Sequence, residues 1–261
     1  MGDDIVVFLG PTLSHEHARE WLDAHYAPPA EQGHVFDFVQ RMHPRAIVLI
    51  DGAFVSVPSV RHKEILWALH QGIQVFGASS LGALRAAELA GCGMRGFGLI
   101  YRWFRATPLA GDDEVAVAMA PSELGAGALG NSLIDMRIAF NRAVRAGIIS
   151  TDFRNRLVGL ARSTHFLERS YAHVLALAEC SPWASSVPVL ETWLREHAVS
   201  QKRLDAIGLL QWLGTHGREV SFEHRKIPPF TVTEAFVYDI DAAGLDPACL
   251  VEGAKGVGAV T

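Results

Sequence analysis

Three short runs rich in β-branched and aromatic residues constrain the fold of this chain more than any other feature. Ile5-Val6-Val7-Phe8-Leu9, Ala46-Ile47-Val48-Leu49-Ile50 and Ile73-Gln74-Val75-Phe76 are each of strand length, and each runs into a turn: Gly10-Pro11, Asp51-Gly52 and Gly77-Ala78-Ser79-Ser80. A strand that is apolar at successive positions is buried on both faces, the state of a parallel sheet sandwiched between helices. Helical text fills the gaps. Ser14 is placed to cap a helix through Glu16, Ala18, Trp21 and Leu22 that ends before Pro28-Pro29. Pro58-Ser59 opens a second helix, with Ile65, Leu66 and Leu69 on one face and Gly72 at its C-terminal end. A third runs from Leu81 to Ala90 and stops at Gly91.

From Asn131 the text turns helical throughout: Leu133 to Ala146, Phe153 to Leu160, Thr164 to Leu177, Val189 to Ala198 and Leu204 to Leu213. No comparable β-branched run appears before Thr231-Val232-Thr233. The expected architecture is α/β: a three-layer, Rossmann-like parallel sheet over residues 1–125 and a mostly helical domain over residues 126–261. Ile227-Pro228-Pro229 reads as a tether, and the stretch from Gly253 to Gly258 as a glycine-rich tail.

Composition removes several function classes. Lys and Arg number 23 against 28 Asp and Glu, so the net charge of −5 offers no basic footprint for nucleic acid or a membrane surface. Cys92, Cys180 and Cys249 are odd in number and far apart, which excludes a disulfide framework or a C-x-x-C site and suits buried, reduced thiols in the cytoplasm. No apolar stretch reaches 18 residues, and the start Met1-Gly2-Asp3-Asp4 is wrong for a signal peptide. His15 and His17 have no third ligand at recognisable zinc spacing, and neither metal nor cofactor is expected.

In open parallel sheets, ligands bind beyond the carboxyl ends of the strands. The loops to inspect are therefore Gly10-Pro11-Thr12-Leu13-Ser14, Asp51-Gly52-Ala53-Phe54 and Gly77 to Gly82. In the third, Ala78-x-Ser80-x-Gly82 supplies small residues on both sides of a serine, the requirement for a nucleophile elbow. The amide of Leu81 would then face an oxyanion. Two other readings stand beside it: Ser79 or Ser80 caps the helix, or the amides of the turn cradle a phosphate without the Lys of a P-loop. His62 and Lys63 are candidate bases or members of a solvated helix face. Asp112-Asp113-Glu114 is either a solvated turn or a set of carboxylates at the sheet rim. Arg85 lies near the loop or pairs with Glu88.

Together these segments resemble the TfuA-like family. The resemblance rests on Val6 to Ser14, Ile50-Asp51-Gly52-Ala53-Phe54, Val57 to Leu66, Gly77 to Leu89 and Gly111 to Val117, and spans roughly residues 5–140. It implies a partner of YcaO-type ATP-dependent enzymes, which modify peptide backbones, in thioamide formation on ribosomally made peptides. The precursor peptide would be met only indirectly. The implied activity is release of sulfide by hydrolysis of the C-terminal thiocarboxylate of a ThiS-like, ubiquitin-fold sulfur carrier.

On this implication, Ser80 (or Ser79) attacks the carrier's carbonyl and His62 or Lys63 takes the proton. Amides from Leu81 and the Pro11-Thr12 loop hold the oxyanion, and Gly10, Asp51, Gly52, Gly77, Gly82, Arg85, Asp112, Asp113 and Glu114 complete the site. The chain departs from the expected pattern at Met119, where a histidine is expected. The rival expectation is a non-enzymatic adaptor that docks the carrier and activates the YcaO enzyme. A nucleotide-binding regulator using the Ser79-Ser80 turn is a third.

Overall fold

A computed structural model describes residues 4–53, 57–121, 127–217 and 229–252. Five strands form one all-parallel sheet: β1 (Ile5–Phe8), β2 (His25–Ala27), β3 (Ala46–Leu49), β4 (Gln74–Ala78) and β5 (Arg95–Phe97), in the order β2-β1-β3-β4-β5. The helices joining them are α1 (His15–Arg19), α2 (His34–Met42), α3 (His62–His70) and α4 (Leu81–Glu88). The α/β, Rossmann-like expectation holds, and the sheet gains two short strands, one at each edge.

Successive strand residues point to opposite faces, and the core divides accordingly. Val6, Phe8, Ile47, Leu49 and Val75 pack with Val35, Phe36, Ile65, Trp67 and Leu81 of α2, α3 and α4. Val7, Val48, Ile50 and Phe76 face the opposite side, where Ala18 of α1 covers them in part.

The remaining helices are α5 (Gly98–Ala106), α6 (Leu133–Arg145), α7 (Thr151–Ser163), α8 (Tyr171–Ala178), α9 (Val187–His197), α10 (Gln201–His216), α11 (Glu234–Ala242) and α12 (Cys249–Glu252). α6 to α9 build their own apolar cluster around Phe140, Phe153 and Leu190. α10 does not join it. Its Ala206, Leu209, Leu210 and Leu213 close the second face of the sheet, while Phe236 and Ile240 of α11 pack on the first. The C-terminal half thus supplies one helix to each face of the sandwich. The expected boundary at residues 125 and 126, Phe54, Ile227-Pro228 and the glycine-rich stretch from Gly253 to Gly258 lie outside the described residues or at their edge.

Cys92 and Cys180 are exposed and Cys249 half-buried, where buried thiols are expected, and three expectations of local structure change as well. The first helix stops at Arg19, because the Tyr26 hydroxyl of β2 reaches the carbonyls of Ala18 (3.0 Å) and Leu22 (2.9 Å) and ties down the segment between helix and strand. Residues 164–170 are not helical, since buried Arg169 donates to the Thr164 carbonyl and α8 starts afresh at its Ser170 cap. Thr231-Val232-Thr233 is no strand; the Thr233 hydroxyl accepts from Phe236 N–H and caps α11. Among the described residues no helix is long and apolar enough to cross a membrane.

Candidate active site

The strand order places a switch point between β1 and β3. From that pair the chain winds outward in opposite directions, so the loops at their carboxyl ends diverge and leave a crevice. Asp51, just past β3, is 1% exposed and is the polar centre of this crevice. Its Oδ2 accepts the amides of Gly10 and Thr12, both at 3.0 Å, and its Oδ1 accepts the Thr12 hydroxyl at 2.6 Å. Thr12 Oγ1 also lies 3.3 Å from Ser79 Oγ. All three predicted loops therefore meet in one chain of contacts, Asp51 to Thr12 to Ser79.

The serine turn has an unusual backbone. Ser79 sits at φ +69°, in the left-handed region that a non-glycine residue adopts at a cost. Close packing enforces the turn: a Cβ on Gly77 would run into the Gly82 carbonyl, and one on Gly82 into the Leu49 carbonyl. Gly52 is tight in the same way, against Leu81. The sharply turned residue is thus Ser79, one before the Ser80 to which small-residue spacing pointed. Ser80 occupies the N-cap position of α4 but makes no side-chain cap bond. Both serines are buried, at 0% and 3% exposure. Of the turn's amides, Ser80 donates to Ala78 O and Gly82 to Ile50 O. The Leu81 amide, at the first position of α4, has no acceptor within its own helix.

The second expected oxyanion donor fails. Pro11 carries no N–H, and the Thr12 amide is already given to Asp51. The expected bases also point elsewhere. His62 Nε2 binds Glu88 Oε2 at 2.8 Å, and Glu88 ends α4, about 12 Å along the helix from the serine turn. Lys63 Nζ donates to Thr231 O at 3.2 Å and lies over the Phe230 ring. Arg85 takes the Glu88 alternative, at 2.7 Å. Burial alone would raise the Glu88 carboxyl, but the bonds from His62 and Arg85 hold it below its ordinary range. His15 and His17 are used locally, on Leu9 O and the Ser14 hydroxyl.

The acidic triplet is divided. Asp112 is exposed, Asp113 faces Arg169 Nη2 at 3.5 Å, and Glu114 is buried in a two-pronged pair with Arg137 of α6 at 2.8 and 2.9 Å. These contacts dock the segment on the helical half. Met119 bridges to Ala128.

One residue near the crevice had no place in the expected site. Lys202 of α10 is 4% exposed, and its Nζ donates to Val115 O at 2.9 Å. Burial lowers its pKa, while the carboxylates of Asp51 and Asp135 pull it back up. Asp135 of α6 in turn accepts the amides of Gln201 (2.7 Å) and Lys202 (3.3 Å), fixing the start of α10. Asp205, one turn on, accepts Ile100 N–H at 2.8 Å and fixes α5, where Gly98 at φ +94° has no room for a Cβ. A signal was present: Lys202 shares the i, i+4, i+7 stripe of Ala206 and Leu209, and a lysine on a buried stripe needs partners.

Fold and site together define a doubly wound α/β protein with a strained serine turn at the rim of its switch point. Residues 51–170 match the family model described as TfuA-like protein, the family the motifs resemble. The match begins at Asp51 and reaches the start of α8, taking in all of α6 and α7. No curated protein matches the chain.

Proposed function

We propose that this chain is a sulfide-releasing hydrolase that acts on an acyl thiocarboxylate through Ser79. By extension from its family, the substrate is the C-terminus of a ThiS-like sulfur carrier, and the sulfide serves a cytoplasmic YcaO-type enzyme making peptide thioamides. The observation that carries the reading is the left-handed Ser79, with its hydroxyl 3.3 Å from a threonine that is bonded to buried Asp51.

The chemistry asks little of a base, which fits a site whose expected bases are turned away. In the first step the Ser79 oxygen bonds to the carbonyl carbon and the C–S bond breaks. The sulfur leaves with the serine proton, giving the acyl-serine ester and hydrosulfide. No net proton acceptor is consumed. The Thr12 hydroxyl, which donates to Asp51 and lies in reach of Ser79, passes the serine proton toward Asp51, and the same path returns it as the sulfur leaves. The Leu81 amide stabilises the oxyanion. Water then cleaves the ester, returning the carrier carboxylate, the Ser79 hydroxyl and one proton to solvent.

The test is sulfide release from thiocarboxylated carrier. Ser79→Ala should lower the rate at least ~10³-fold, as expected for loss of a nucleophile, with Ser80→Ala within about tenfold of wild type. The reverse order would move the nucleophile to Ser80. Full rates in both variants would overturn serine catalysis. A second reading has its own support: with Ser79 wholly buried, the chain acts as an adaptor, or as an enzyme opened only by its YcaO partner. Sulfide released by the isolated chain rejects the adaptor; release only in the complex defines the gated enzyme.

A further inference from the structure

A second binding site lies at the seam between the sheet and the helical cluster. α5, α6 and α7 enclose a cavity of about 290 Å³, near the lower end of the range for ligand pockets. Its walls are apolar, with Leu99, Trp103, Ile138 and Val158. Three polar side chains interrupt them: Arg154 of α7, and Arg137 and Asn141 of α6. Leu99 is 40% exposed, so the wall opens to solvent.

Arg154 is the telling residue. The neighbouring Arg137 is neutralised by its two-pronged pair with Glu114. Arg154 has no such partner among the described residues, and its Nε is shielded from solvent with no acceptor. A guanidinium presents five donors in a fixed fork, and one of them buried without an acceptor costs free energy. The cavity therefore has an uncompensated positive charge beside an apolar wall.

We infer that this cavity binds an acidic, apolar peptide segment of a partner protein, with a leucine-like side chain against Trp103 and a carboxylate on Arg154. Asn141 decides for a peptide over an alkyl carboxylate. Its amide offers a donor and an acceptor side by side, the complement of a backbone peptide group, which a hydrocarbon chain lacks. The site is independent of the serine chemistry, since none of its lining residues belongs to the crevice at β1 and β3.

The probe is the blocked tripeptide Ac-Leu-Glu-Leu-NH2, titrated into the full chain to 10 mM. Binding is followed by the NMR signals of the Trp103 indole N–H and the Asn141 side-chain amide. Saturable shifts of both are expected. The Gln and Lys analogues of the central residue should bind at least tenfold more weakly, and so should the Glu peptide to Arg154→Gln. That variant removes a side chain with no bonding partner and keeps the buried residues of α7, Phe153, Leu157 and Ala161. An absence of saturation, equal binding of the three peptides, or unchanged affinity in Arg154→Gln overturns the inference. Octanoate binding more tightly than the Glu peptide overturns its peptide component.

Discussion

Thr12 grips Asp51 twice, through its amide to Oδ2 at 3.0 Å and through its hydroxyl to Oδ1 at 2.6 Å. The first bond belongs to the backbone and survives any substitution but proline; the second depends on the side chain. Thr12→Val keeps the shape and removes a hydrogen bond to a buried, charged acceptor, at a cost of about 1.5–3 kcal/mol. Urea denaturation should show that loss. The same variant cuts the relay to Ser79, so sulfide release should fall by roughly 10²-fold, the lower end for general acid–base assistance. A destabilised variant that keeps its full rate would leave Thr12 a purely structural role.

Stability and activity should separate at Ser79. The left-handed backbone costs a residue with a Cβ roughly 1–2 kcal/mol, and glycine avoids that cost. Ser79→Gly should therefore be as stable as wild type or up to about 1 kcal/mol more stable, offset by the extra freedom of its unfolded chain. It should nonetheless be inactive. Ser79→Ala keeps the strain and should gain nothing. Thermal melts of the two variants, run beside the sulfide assay, check both halves of the expectation.

The central sheet was legible because β1, β3 and β4 are buried on both faces and so carry no polar alternation to confuse the reading. The edge strands were not. His25-Tyr26-Ala27 and Arg95-Gly96-Phe97 are three residues each, too short for periodicity to register. At the site, the three strand-end loops were readable as a set, since parallel topology forces their carboxyl ends together. Which serine carries the left-handed backbone was not, because that depends on the fit of Gly77 and Gly82 against each other and Leu49, a tertiary fact. His62 was misplaced for a related reason. Sequence places it near the start of α3, but the partner that holds it, Glu88, is 26 residues away on another helix.

Glu64 should make stability depend on pH in a direction opposite to that of most carboxylates. It faces the start of α2 from α3, wholly buried, with the Arg61 amide on Oε1 at 3.0 Å and no hydrogen bond on Oε2. Burial pushes its pKa up to about 7, and nearby amides offset part of that rise. A carboxyl whose folded pKa is raised binds its proton more tightly when folded. Its contribution is full below the unfolded value near 4.5 and is lost as pH rises through 7. Glu64→Gln imitates the protonated form, so the difference in unfolding free energy between variant and wild type should climb in the variant's favour from pH 4.5 to above 7. The climb should be of the order of 3 kcal/mol at most. Urea titrations at pH 4.5, 6 and 8 read it directly, with other titrating groups cancelling in the difference; a flat line would disprove the shift.

Lys202 should prove as important to the fold as to the site. Burial lowers the pKa of its amine and the carboxylates of Asp51 and Asp135 oppose that, while its Nζ ties α10 to Val115 beyond the acidic triplet. Lys202→Met retains the length of the side chain but leaves two buried carboxylates without it, at roughly 3–5 kcal/mol. Lys202→Met combined with Asp135→Asn should recover part of that loss, since each removes a charge the other no longer balances. Asp135 does not touch the serine turn, so the rescued protein separates the two roles. If Lys202 matters only through folding, sulfide release returns with stability. If its charge also serves Asp51 and an anionic thiocarboxylate, the double variant is folded by near-UV circular dichroism but has a raised KM for the carrier.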